Sequence, residues 1–216
     1  MKRLALISVI INFALILSFS IPTFAQEPTS LTKLNYVSFK GGIYTPTSDL
    51  DEFDNSLYAD VMYNRYLTKN IALEAGVGLY YTETTYNGVK PVWGSFTEKD
   101  SIVVNPIKFN LKWILPFPQG EFYLGAGIGF YLAYFKAEIS STGLGSFSID
   151  DGDVVLGGQF KAGVVFNLSK IFFLGIEGEY MLTDAAEFSG SAYGVPFKIE
   201  SDLDGYIVNA VFGFRF

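Results

Sequence analysis

Along most of this chain apolar residues recur at every second position, the period of a strand with two unlike faces. The last stretch, 204–216, shows it most plainly. One set of alternate positions is Tyr206, Val208, Ala210, Phe212, Phe214 and Phe216; the other is Gly205, Ile207, Asn209, Val211, Gly213 and Arg215. Seven earlier segments read the same way: 34–45, 57–67, 71–84, 101–115, 121–136, 153–168 and 171–182. The lane opposite the apolar one carries Lys40, Asp60, Glu74, Lys108, Lys112, Lys161, Glu177, Glu179 and Arg215, five bases against four acids. A soluble eight-stranded barrel turns its apolar lane inward and its charges outward. Here the apolar lane is the greasier and more continuous one. The pattern is inside-out: apolar residues face lipid, and the charges must pair within.

The connections alternate in length. Residues 68–70, 116–120 and 169–170 are short turns, whereas 46–56, 85–100, 137–152 and 183–203 are long. Short turns on one rim and long loops on the other are the arrangement of a membrane-spanning barrel, and an even strand count puts both chain ends on the short-turn side. Composition agrees. Half the residues are apolar, with 21 Phe and 14 Tyr, yet no internal run is long enough for a spanning helix. The longest uncharged stretch after the N-terminus, 122–135, contains three glycines and falls short of the ~18 residues required. The expected fold is all-β: an eight-stranded antiparallel up-and-down transmembrane β-barrel.

Outward aromatics fall at two levels. Trp113, Phe122, Phe172 and Phe216 lie near the short-turn ends, and Tyr81, Tyr134, Tyr180 and Tyr206 near the long-loop ends. At ~3.3 Å per residue and a tilt near 45°, the ten steps between Tyr206 and Phe216 span roughly 23 Å, close to the ~25 Å apolar band of such barrels. The N-terminus reads as a targeting segment. Lys2 and Arg3 precede an apolar run over 4–19, and Thr23 and Ala25 supply the small residues of a cleavage site. This divides the chain into a signal peptide at 1–25, a short periplasmic tail at 26–33 and a barrel at 34–216. Loss of Lys2 and Arg3 takes the net charge from −7 to −9.

Several local motifs carry a family resemblance: Gly41-Gly42-Ile43-Tyr44 followed by Pro46, Ile71-Ala72-Leu73-Glu74, Gly125-Ala126-Gly127-Ile128-Gly129, and a terminal Phe216. With them the chain resembles the small outer-membrane β-barrel family of the opacity-protein, OmpX-like and OmpA-transmembrane-domain type. The resemblance implies a bacterial outer-membrane location and contact with the lipid bilayer and lipopolysaccharide. It also implies recognition of Phe216 by the barrel-assembly machinery, and function residing in surface loops.

Three functions compete. The first is a non-enzymatic barrel with a salt-bridged, plugged lumen that acts through its loops in envelope integrity, adhesion or surface contact. The second is an OmpW-like conduit or binder for small hydrophobic molecules. The third is a barrel enzyme, which the absence of any histidine disfavours, because activation of a serine nucleophile needs such a base. Glu177 and Glu179 share one face as a glycosidase pair might, but an interior salt network is the simpler reading. Gly125–Gly129 follows GxGxG spacing inside a strand with no helix after it, so it is not a dinucleotide site. Its glycines are expected to admit inward tyrosines. Asp49, Asp51 and Asp54 lack the Gly and Glu of a calcium loop. No catalytic, cofactor or metal residues are assigned, no nucleic-acid partner is expected, and the barrel is expected to be a monomer. The net charge resides in the long connections: 46–56 has four acids and no base, and only 85–99 is net basic. Deleting Phe216 is expected to lower outer-membrane yield in cells while leaving refolding in detergent intact, and Arg215→Ala to lower it less. Equal yields by immunoblot for both variants and the parent would remove the terminal-signal argument.

Overall fold

The computed structural model describes residues 35–90, 94–143, 145–192 and 195–216. The segments read as signal peptide and periplasmic tail lie outside the described residues. Ten strands follow in order: β1 (Asn35–Pro46), β2 (Ser56–Thr68), β3 (Ile71–Lys90), β4 (Gly94–Phe117), β5 (Gly120–Ser141), β6 (Gly145–Asn167), β7 (Phe172–Thr183), β8 (Ala186–Ala192), β9 (Val195–Ser201) and β10 (Gly205–Arg215), with a 3-10 turn at Ser48–Leu50. Eight of them close a ring in the order β1-β10-β7-β6-β5-β4-β3-β2, and β8 and β9 form a separate hairpin. The seam is the β1–β10 ladder, antiparallel from Tyr36↔Arg215 to Pro46↔Gly205. It is extended by the Phe216 amide, which donates to the Asn35 carbonyl at 2.9 Å. Closure leaves no unpaired edge in the ring, the condition for placing strands in hydrocarbon.

Both lanes face as their alternation requires. Along β10, Tyr206, Val208 and Phe212 are exposed while Ile207, Asn209 and Val211 are buried. Trp113, Phe122, Phe172 and Phe216 are exposed at the short-turn rim, and Tyr81, Tyr134, Tyr180 and Tyr206 at the other. Phe172 of β7 stacks across on Phe212 of β10 at 5.9 Å, and Phe214 meets Phe216 two residues further along the chain at the same distance.

The long connections differ from loops. Most of 85–100 and 137–152 is strand, because β3–β6 continue past the tyrosine level in unbroken register, with Lys90↔Gly94 and Ser141↔Gly145 as the outermost pairs. Thus β3–β6 have 20 to 24 residues, against 11 to 13 for β1, β2, β7 and β10. The result is a four-stranded blade standing on one side of the barrel. Thr/Ser-rich alternation without proline, as in Thr82-Glu83-Thr84-Thr85 and Ser140-Ser141, sustains strand outside lipid. The β8–β9 hairpin lies against the blade, with Phe188 stacked on Phe135 at 5.3 Å.

Lumen-facing glycines make room for neighbours. A Cβ at Gly163 would lie 2.4 Å from the Tyr123 ring, and one at Gly125 2.8 Å from Lys161 Cγ. The GxGxG stretch therefore admits a lysine stem at Gly125 as well as the tyrosine expected of it, since a Cβ at Gly129 would meet Tyr131 at 3.1 Å. Unheated and boiled samples of detergent-folded protein are expected to migrate differently on a gel, because a closed ladder resists detergent until boiled. Identical migration with a helical circular dichroism spectrum would rule out this fold.

Candidate functional site

Side chains within the ring fall into three layers. The middle layer is ionic. Glu74, projected inward by β3, accepts from three lysines: Lys161 at 2.9 Å, Lys112 at 3.1 Å and Lys40 at 3.4 Å. Glu177 binds Lys40 at 2.9 Å and the Tyr123 hydroxyl at 2.8 Å. Its neighbour on the same face, Glu179, binds Lys108 at 2.6 Å and Lys161 at 2.8 Å. Asp60 accepts from Tyr58 at 2.9 Å and lies 3.5 Å from Lys108. Of the charged side chains named here only Lys112 has any accessible surface, 3%. Four lysines and four carboxylates give a layer of zero net charge. Isolated charges at this depth would be prohibitive, whereas interlocked pairs are tolerated.

Below, toward the short-turn rim, the layer is aromatic. Tyr36 packs on Tyr66 at 5.3 Å and edge-on to Phe173 at 5.4 Å. Arg215 belongs here and not to the central network expected from its lane. Its guanidinium lies over the Phe173 ring at 4.6 Å, donates to Asn167 at 2.5 Å and pairs with Glu121 at 3.5 Å. Glu121 is absent from the interior set that the sequence suggests. The parity of Phe122 places it inward, but it sits at a strand start where the lane is hard to assign. Above, the layer is apolar. The tilted rings of Tyr44 and Tyr80 meet at 4.2 Å, joined by Leu50, Met181, Leu203, Ile207 and Phe188, all buried.

Glu177 and Glu179 lie side by side as predicted, but lysines engage both, leaving no free carboxylate pair. Among the described residues no group of three or more Asp or Glu is arranged to hold a metal ion.

Beyond the tyrosine level the ionisable groups meet water. The Tyr81 hydroxyl and Lys99 ammonium beside Glu83 hold its carboxyl below the usual range. Asp100 is different. Partial burial, with Glu98 two residues away, pushes it up to about 6, and its Oδ1 has no partner.

An inside-out closed sheet with two aromatic girdles and a neutral ionic interior defines a small transmembrane β-barrel. The family model for the outer membrane protein beta-barrel domain matches residues 11–216, and the chain belongs to that family. Its location is the bacterial outer membrane. Among solved structures, a major outer membrane protein from Thermus thermophilus superposes with a TM-score of 0.54 at 13% identity, covering 86% of this chain and 100% of that one. Ail, the attachment invasion locus protein of Yersinia pestis, gives 0.45 at 16%, covering 85% and 99%. Neisserial surface protein A gives 0.46 at 12%, covering 84% and 97%. Comparison with curated proteins gives no match.

Lys161→Met removes the lysine that joins Glu74 to Glu179 and leaves both carboxylates short of a cation. It is expected to lower stability by roughly 3–5 kcal/mol, read as a lower urea midpoint for loss of the fast-migrating folded band. Lys99→Met, which breaks only a solvent-exposed pair with Glu83, is expected to leave the midpoint unchanged.

Proposed function

We propose that this protein is a non-enzymatic outer-membrane barrel with a plugged lumen that works through its extracellular structure, in surface contact or envelope integrity. One observation carries the reading: a neutral ionic layer without solvent access sits between an aromatic layer and an apolar one. Eight strands leave an interior just wide enough for side chains, and here they fill it. An apolar solute moving along the axis would have to part Glu74 from three lysines, which argues against a hydrophobic conduit through the lumen. The chain has no histidine, and the interior carboxylates Glu177 and Glu179 are bound by lysines, which argues against hydrolysis.

The blade is the feature available to partners. The outer side of β3 pairs with β2 only as far as Tyr80, and the Asp54 amide donates to the Glu83 carbonyl just beyond. From Thr85 to Lys90 no described strand lies on that side. A sheet edge of this kind offers backbone donors and acceptors to an extended segment of another protein. Lipopolysaccharide contact around the tyrosine girdle, delivery by the assembly machinery through Phe216, a signal peptide cleaved after Ala25 and a monomeric state belong to the same reading.

In planar bilayers the purified protein is expected to show at most small, rare openings. Cells lacking it are expected to lose surface attachment while taking up hydrophobic solutes normally. A stable, large, ion-selective conductance, or a selective loss of hydrophobic uptake, would overturn the reading.

A further inference from the structure

Residues 47–55, which join β1 to β2, cross the mouth of the barrel as a strap. Its middle is apolar: Leu50 is buried in the upper cluster and Phe53 packs against it. Its two ends are tied by hydrogen bonds. At the β10 end the Thr47 amide donates to the Asp204 carbonyl at 3.0 Å, and the Asp202 amide to Asp49 Oδ2 at 3.2 Å. At the blade end the Asp54 amide donates to the Glu83 carbonyl at 3.0 Å, Thr82 Oγ1 to the Asp54 carbonyl at 2.6 Å, and the Tyr86 hydroxyl to Glu52. The strap begins at Ser48 with φ of 56°, the one described non-glycine in the left-handed region, a conformation that contacts must hold in place.

Both ends are also crowded with like charge. The strap and its flanks, 46–56, carry four carboxylates and no cation. At the blade end Asp100 pairs in register with Thr84, between Thr82 and Tyr86, the two residues the strap grips. On its other side it pairs with Ala137, a member of the apolar cluster Phe53 packs against. One carboxylate oxygen of Asp100 is thus shut from water without a partner. The ionisable groups around it are Glu98 on its own strand and Tyr86 on β3, whose hydroxyl in turn donates to Glu52 of the strap; from β5 the facing residues are Phe135 and Ala137. At the β10 end Asp202 lies among Asp49 of the strap, Asp184 and Asp204.

We propose that residues 47–55 form an acid-seated strap: carboxylates crowded at both of its ends loosen it near neutral pH, and proton uptake presses it onto the blade and the mouth. The sign follows from linkage. With the strap seated, burial and Glu98 raise Asp100 to about 6, and burial with Asp204, Asp49 and Asp184 raises Asp202. With the strap lifted, Asp100 keeps Glu98 beside it but loses burial, and Asp202 loses Asp49, so both fall part of the way toward ~3.9. Protons therefore bind the seated form more tightly. The gain is absent above about pH 6 and grows as pH falls toward ~4. For a half-open carboxylate such as Asp100, the seated-to-lifted ratio should change about tenfold. Lifting uncovers Leu50 and Phe53 and frees the β3 edge at Thr82 and Glu83. The strap thereby sets how much apolar surface the mouth shows.

The chain has no cysteine, so Asn55→Cys gives a single site for a nitroxide label. The full barrel is folded in detergent, checked by its gel shift, and titrated from pH 8 down to about 4 in EDTA so that no divalent cation can substitute for protons. The label is expected to begin to immobilise near pH 6 and to become steadily less mobile as the pH falls below it. In Asp100→Asn it should be more immobile at pH 8 and the transition should shrink; Glu98→Gln should move the midpoint to lower pH. If Asp100→Asn fails to fold, Asp202→Asn reports from the opposite end and should also raise immobilisation at pH 8. Mobility that is flat across the titration, or a transition unchanged in every folded variant, overturns the proposal.

Discussion

Glu74 and its three lysines are the contact on which the rest of the molecule depends. A barrel surrounded by hydrocarbon has no solvent through its wall to stabilise a charge, so every ionised group at that depth needs a counter-ion inside. Lys161 reaches Glu74, Glu179 and, at 3.8 Å, Glu177. That sharing binds β3, β6 and β7 across the interior, where backbone ladders join only adjacent strands. Gly125 then has to be a glycine, because the Lys161 stem occupies the space of its Cβ.

From this layer the interior can be followed outward by polarity. Tyrosines flank the ions on both sides, because a phenol offers a hydroxyl to a carboxylate and an apolar ring to the next layer. Tyr123 does this for Glu177, Tyr58 for Asp60 and Tyr66 for Glu121. Past them the upper layer becomes mainly apolar, and the strap and the β8–β9 hairpin close over it. On the blade, Asp151 and Asp153 accept from the Ser189 and Glu187 amides at 2.6 and 2.9 Å. The hairpin is therefore fastened by side-chain carboxylates as well as by Phe188.

Much of this was legible in the sequence because a period of two has only two phases. Once Lys40, Glu74 and Lys161 were seen in the lane opposite continuous apolar residues, the lumen and the eight strands followed together. The terminal regions of the strands were less legible. Arg215 has the right parity for the ionic layer but the wrong height, and height depends on the stagger between strands, which alternation does not encode. Residues 85–100 and 137–152 read as loops because polar residues occupy both lanes there. A blade wetted on its outer face and only partly covered on the other produces that same signal. The strap's carboxylates were visible as charge, but their crowding against Asp100 and Asp202 depends on contacts between distant parts of the chain.

The seam has a consequence for how the molecule comes into being. Strands β2 through β7 each pair with their neighbours in sequence across short connections or their own hairpin ends. Only β1 and β10 join opposite ends of the barrel segment. Local hairpins form before contacts of large sequence separation, since the entropy of bringing distant segments together must be overcome first. The growing sheet is therefore an open, curling ribbon until β10 arrives. Its unpaired β1 edge is a hazard in hydrocarbon for as long as that takes, and the strand that ends the hazard is the one synthesised after all the others in the ring.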